Sequence, residues 1–163
     1  MIILVPNSIN SLNILIYINS HTSLLNSLNR HNTTDPQNKH HIVIIDDEVD
    51  LLMVYKRALE MSGLVVSAFA DPLNALDEFR ANHSKYHLVI TDIRMPNMNG
   101  YKLINQIKKI NPTVKIIFVT AQQVSKSDIM ANLDNEVSFD EFIIKPVSLD
   151  MLNKVVQSVI NSP

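Results

Sequence analysis

Cysteine is missing from the chain altogether, and glycine occurs only at Gly63 and Gly100. Without cysteine there is neither disulfide stapling nor thiol catalysis, although that absence does not by itself fix a compartment. With so few glycines, no GxGxxG or Walker-type phosphate loop can form, so any phosphate chemistry must use another device. Long apolar stretches are also lacking. No run in the first 39 residues is longer than Ile14-Leu15-Ile16-Tyr17-Ile18, which is far below the roughly 20 residues that cross a bilayer. No basic segment precedes it and no small-residue cleavage site follows, which argues against a secretory signal. The expectation is a cytoplasmic protein with no membrane span. Charge of one sign is scarce too: a net charge of -2 argues against bulk nucleic-acid binding, and no direct nucleic-acid contact is expected.

The first 39 residues differ in kind from the rest, with eight Asn, five Ser and only Arg30, Asp35 and Lys39 as charged residues. They read as an Asn/Ser-rich, low-complexity and irregular extension, expected to be disordered. A peripheral or partner-binding segment using Ile9, Leu12, Ile16, Leu24, Leu25 and Leu28 is the sharper alternative, and a mis-called translation start is another. Residues 40–163 lie within the usual size of one domain and can bury a core.

Within that stretch, five short apolar runs alternate with five helix-like segments. The runs are His41–Ile45, Leu64–Phe69, Leu88–Thr91, Lys115–Val119 and Phe142–Ile144. Near-continuous, β-branched runs imply strands buried on both faces of a parallel sheet. The helices are expected over Glu48–Ser62, Asp71–Asn82, Gly100–Asn111, Ser125–Leu133 and Ser148–Asn161. Asp71-Pro72, Ser125 and Ser148 supply candidate caps. Strand and helix in strict alternation predict an α/β fold.

Four of the runs end in a reactive polar group: Asp46-Asp47, Asp92, Thr120 and Lys145. In an open parallel sheet, the carboxyl ends of the strands share one edge, where ligands bind. Carboxylates brought together there repel one another, and a hard divalent cation with oxygen ligands, Mg²⁺, relieves the repulsion. A carboxylate beside it can attack phosphorus in line if a cation offsets the charge on the transferring oxygens. Lys145 supplies that cation and Thr120 a hydroxyl. Each residue taken singly has a plainer role. Asp46 and Asp47 would cap the next helix, Asp92 would sit in a turn, Lys145-Pro146 in a loop and Phe142 in the core. Their coincidence in order and strand position favours the site. The pairs His40-His41 and His83 with His87 have no converging ligand set and read as structural.

Together Asp46-Asp47, the stretch from Thr91 to Gly100 (Thr-Asp-Ile-Arg-Met-Pro-Asn-Met-Asn-Gly), Thr120-Ala121 and Lys145-Pro146 resemble the receiver domain of two-component response regulators. The resemblance runs from His41 to about Ile160. It implies a flavodoxin-like (βα)5 doubly wound sheet of strand order 2-1-3-4-5. It further implies that Asp92 is the phosphoacceptor. Asp47 and Asp92 would be direct Mg²⁺ ligands, Asp46 an acidic partner acting through water, and the Arg94 backbone carbonyl the third protein ligand. Thr120 and Lys145 would hold phosphoryl oxygens, with Phe142 turning inward as Thr120 moves. Ala121 and Arg94 would modulate access and lifetime, and Pro146 would follow a cis peptide. The implied partners are a sensor histidine kinase or histidine phosphotransfer protein and a downstream protein target. With no room for an output module after the helix expected at Ser148–Asn161, a stand-alone receiver is expected, one that is not an enzyme beyond assisting its own phosphorylation and dephosphorylation.

Two departures stand out. Ser138-Phe139 replaces the small Gly-Ala pair usual before the last strand, and the interval from Thr120 to Lys145 is a few residues long. Both fall around the family's output face. Two other functions share the residues. A receiver-like binding module would signal without phosphate. A Mg²⁺-dependent phosphohydrolase of the haloacid-dehalogenase type would need an acid/base aspartate where Arg94 stands.

Overall fold

The computed structural model describes residues 40–163, so the expectations for residues 1–39 lie outside the described part. The apolar runs form five parallel strands: β1 (His41–Ile45), β2 (Val65–Phe69), β3 (Tyr86–Thr91), β4 (Lys115–Thr120) and β5 (Glu141–Ile144). Each is followed by a helix: α1 (Val49–Met61), α2 (Pro72–Asn82), α3 (Gly100–Ile110), α4 (Lys126–Ala131) and α5 (Leu149–Asn161). The sheet order is β2-β1-β3-β4-β5, the flavodoxin-like topology.

Alternation along the strands divides the core in two. Val43, Ile45, Val89, Ile116 and Phe118 pack with Ala75, Leu76 and Phe79 of α2, Leu103, Ile104 and Ile107 of α3 and Ile129 of α4. Their chain neighbours Ile42, Ile44, Leu88, Ile90, Ile117 and Val119 point the other way, onto Leu52, Tyr55 and Leu59 of α1 and Leu152, Val156 and Val159 of α5. Burial on both faces explains why the strands read as apolar runs rather than alternating ones.

The helices start where short polar side chains satisfy free amides. Asp71 accepts from the Leu73 amide ahead of Pro72, and Ser148 accepts from the Met151 amide. Ser125 forms a reciprocal capping box with Asp128, and Asn99 caps α3 through the Lys102 amide.

Most boundaries fall within one residue of the sequence reading, and two differ from it by two residues. Tyr86 is the first residue of β3, not part of a loop ending before Leu88, and only His83–Lys85 forms a short 3-10 turn. The exposed His87 interrupts the apolar run, whereas Tyr86 is buried and its hydroxyl is 2.6 Å from Glu78 Oε1 and 3.0 Å from Ser67 Oγ. Helix α4 ends at Ala131 rather than Leu133, because the Asn132 and Leu133 amides turn back to Ile129 and Met130 in a tighter turn. Among the described residues, no helix is long and apolar enough to cross a membrane.

Candidate functional site

Three backbone hydrogen bonds continue the sheet past its last paired residues and fix the residues that follow. The Asp46 amide donates to the Phe69 carbonyl at 3.2 Å, the Asp92 amide to the Ile45 carbonyl at 2.9 Å, and the Lys145 amide to the Thr120 carbonyl at 2.7 Å. Asp46, Asp92, Thr120 and Lys145 therefore share one edge of the sheet, where β1 and β3 lie side by side and the chain connections diverge.

Asp46, Asp47 and Asp92 each present a carboxylate oxygen within 4.8 Å of the others. Asp46 and Asp92 are buried and Asp47 is exposed. The Lys145 ammonium lies 2.7 Å from Asp46 Oδ2, 2.9 Å from Asp92 Oδ2 and 2.9 Å from Glu48 Oε1. The second Asp92 oxygen, Oδ1, accepts the Arg94 amide at 3.0 Å, and Asp46 Oδ1 accepts the Glu48 amide at 3.0 Å.

The electrostatics follow from this crowding. Burial pushes the Asp46 carboxyl up, opposed by the Lys145 ammonium and the Glu48 amide and reinforced by the Asp92 charge. For Lys145, burial pulls the ammonium down, but hydrogen bonds to Asp46, Asp92 and Glu48 outweigh it and leave the group above the ordinary lysine value. Lys145 decides the state of the pair, since it faces three carboxylates while Asp46 faces one ammonium. The result is a protonated lysine set among acids that one cation does not neutralise. A hard oxygen donor set with residual negative charge fits Mg²⁺.

The remaining residues named from the sequence fall around this cluster. Thr120 is fully buried, and its Oγ1 accepts the Gln122 amide at 3.2 Å. Ala121 next to it is exposed, as is the Arg94 side chain. The Lys145-Pro146 peptide is cis. Phe142 lies half-buried on β5, paired with Phe118 of β4 and packed against the α2–α3–α4 side of the core. It is part of an aromatic group rather than of the acid cluster. Gly100 opens α3 directly over the Asp92 backbone. A Cβ there would overlap the Asp92 carbonyl oxygen, so only glycine allows this close approach.

Two site residues were not evident from the sequence. Glu48 reads as a helix start, yet its carboxylate turns to Lys145 instead of capping α1. An acid directly after Asp46-Asp47 is a signal that could have found it. Tyr55 reads as part of the apolar stripe of α1. Its hydroxyl is pushed up to about 12, chiefly by burial, and it feels the opposing charges of Lys145, Asp46, Glu48 and Asp92. The structure also joins histidines the sequence left apart: the rings of His40 and His87 meet edge-on at 5.0 Å.

A family model described as the response regulator receiver domain matches residues 42–157. The C4-dicarboxylate transport transcriptional regulatory protein DctD of Rhizobium meliloti (strain 1021) is 34% identical over 111 residues, covering 68% of this chain and 23% of its own. The probable transcriptional regulator ycf27 of Porphyridium aerugineum is 33% identical over 122 residues, covering 75% of this chain and 48% of its own. The chain thus spans about half or less of the length of these curated relatives. Among solved structures, a response regulator receiver domain protein from Clostridium thermocellum matches with a TM-score of 0.67 at 30% identity, over 75% of this chain and 94% of that one. The non-phosphorylated HemR receiver domain from Leptospira biflexa matches with a TM-score of 0.68 at 27% identity, over 77% of this chain and 97% of that one. Phosphorylation and Mg²⁺ binding at an acidic pocket are general properties of such domains, which are signalling modules. Fold, strand-end residues and family match agree, and the chain belongs to the response-regulator receiver domains of two-component systems.

Proposed function

We propose that residues 40–163 act as a phosphoryl-accepting switch, with Asp92 as the acceptor. The observation that carries this reading is the contact set of Asp92. Its carboxylate is buried at the sheet edge, oriented by the Arg94 amide through one oxygen and paired with the Lys145 ammonium through the other. A fixed, charge-compensated carboxylate is poised for nucleophilic attack.

In the proposed transfer, an Asp92 oxygen forms a bond to phosphorus as the bond to the donor breaks. A phosphohistidine donor leaves as imidazole and takes up a proton. Asp46, Asp47 and Asp92, with the Arg94 backbone carbonyl, would hold Mg²⁺, which would neutralise charge on the phosphoryl oxygens. Lys145 then pairs with a phosphoryl oxygen. Thr120 donates its hydroxyl to another, giving up its present position beside the Gln122 amide. Phe142 follows Thr120 inward, and the surface around α4 and β5 changes its population of states. Ala121, small and exposed, leaves the donor's approach open, and Arg94 tunes how long the phosphoryl group lasts.

The partners in this reading are a histidine kinase or histidine phosphotransfer protein and a downstream protein target, with the exchange taking place in the cytoplasm. The net charge of -2 gives no support to direct nucleic-acid binding. A site-mapping experiment tests the assignment. The phosphorylated protein is reduced with borohydride, which converts an aspartyl phosphate to homoserine, and its peptides are weighed. Homoserine at position 92 is expected; a mark at any other carboxylate would remove Asp92 from its role.

A further inference from the structure

One aromatic series runs beside the site, and of its members only Phe142 enters the switch described above. Tyr101 of α3, Phe118 of β4, Phe139 just ahead of β5, and Phe142 of β5 follow one another with ring centroids 5.7, 5.6 and 6.3 Å apart. Phe118 and Phe142 are paired across β4 and β5, so their side chains share a face of the sheet. Phe139 meets both edge-on, at 73° and 77°, and is 7% exposed while Phe142 is half-buried. The Lys126 ammonium stands 5.7 Å from the centroid of the Phe139 ring. Lys126 is the first residue of α4, and the loop leading to it is tied to the site by the Gln122 amide on Thr120 Oγ1. A single side chain therefore touches a fully buried ring, the half-buried ring of β5 and the start of α4.

We propose that Phe139 is a positioning residue for the switch: it fills the space inboard of Phe142 and braces the start of α4, holding the unphosphorylated chain in its off arrangement. This rests on the receiver function proposed above. A close-packed interior does not admit a second ring without displacing the first. Inward movement of Phe142 therefore requires Phe139 to shift and its cation–π contact with Lys126 to loosen. The obstruction burdens only the on arrangement, so it lowers the population of that arrangement before phosphorylation. Linkage then requires that removing the obstruction strengthen binding of a phosphoryl group or its mimic by the same factor. A small residue at position 139 would leave Phe142 free to move, so this chain's switch is stiffer than one built with alanine there.

The test is an equilibrium titration of the full chain with beryllofluoride in Mg²⁺, followed by calorimetry, with 4-fluorophenylalanine incorporated to report the Phe142 resonance. For Phe139→Ala the apparent Kd is expected to tighten by about fivefold, the change given by raising a competent fraction from about a tenth to about a half. The Phe142 resonance should move toward its ligand-bound position before ligand is added. Phe139→Leu, which keeps most of the volume, should stay near wild type. Lys126→Met leaves the core intact and should tighten binding by about twofold as the cation–π contact is lost. A purely structural role would weaken binding along with stability. Unchanged or weaker binding in folded Phe139→Ala, or in Lys126→Met should the first variant fail to fold, overturns the proposal. If the wild-type chain binds no beryllofluoride, the receiver reading itself falls and this inference falls with it.

Discussion

The Lys145 ammonium lies between Asp46 and Asp92, 2.7 Å from one carboxylate and 2.9 Å from the other, with its own side chain only 8% exposed. Its charge offsets two of the three carboxylates that would hold a divalent cation, so ammonium and metal draw on the same negative charge. Lys145→Met should therefore do two things. Without metal it leaves buried carboxylates unpaired and lowers stability by about 3–5 kcal/mol. With metal, stabilisation should begin at lower Mg²⁺ concentration than in wild type. Thermal melts across a Mg²⁺ titration read both effects. Under the proposed mechanism, Lys145→Ala should still accept phosphate but lose the coupling to the β5 surface.

Gly100→Ala places a methyl group against the Asp92 carbonyl, where backbone rather than a flexible side chain must yield. The expected loss of stability is about 1–3 kcal/mol, as for other overpacking changes. Because the strain falls on the acceptor's own peptide, phosphoryl uptake should drop more than the folded fraction does. Urea unfolding and uptake measured on one sample separate the two.

Ser125→Ala removes one half of the capping box at the start of α4. The expected loss is about 1 kcal/mol of stability, by analogy with other cap deletions. The acid cluster lies elsewhere, so the Mg²⁺ response should match wild type. Faster amide exchange confined to α4 would mark the effect.

His40 gives a pH dependence independent of the site. Burial, followed by the nearby His87 and Lys115, holds its imidazole below the ordinary value of 6.5, and its Nδ1 is buried without a partner. The folded chain thus favours neutral imidazole, and the unfolded chain takes up the proton first as pH falls. Stability is intact above the unfolded value of 6.5 and declines below it, toward the lower folded value. Melting temperatures between about pH 8 and about pH 5 should show this decline, less steeply in His40→Gln.

The sheet and its polar edge were legible because parallel strands buried on both faces leave continuous apolar runs, and their ends carry the chemistry. Ile42 to Ile45 and Ile116 to Val119 are such runs, ending at Asp46 and Thr120. The start of β3 was less so, since solvent-facing His87 interrupts the run and hides buried Tyr86. Which distant segments meet depends on the assembled sheet. The Glu48 carboxylate finds Lys145 across 97 positions, and His40 meets His87 only once the sheet is assembled. Phe139 was visible as a large residue where the family keeps small ones, but its position between Phe118, Phe142 and Lys126 depends on how β4, β5 and α4 pack.

The most direct measurement is intact mass after incubation with a small-molecule phosphodonor, with and without Mg²⁺, for the wild type and Asp92→Asn. A Mg²⁺-dependent gain of one phosphoryl group in the wild type and none in the variant is the expected result. A gain that persists in Asp92→Asn, or no gain in the wild type where a control receiver is modified, would contradict the assignment of Asp92 as a working phosphoacceptor.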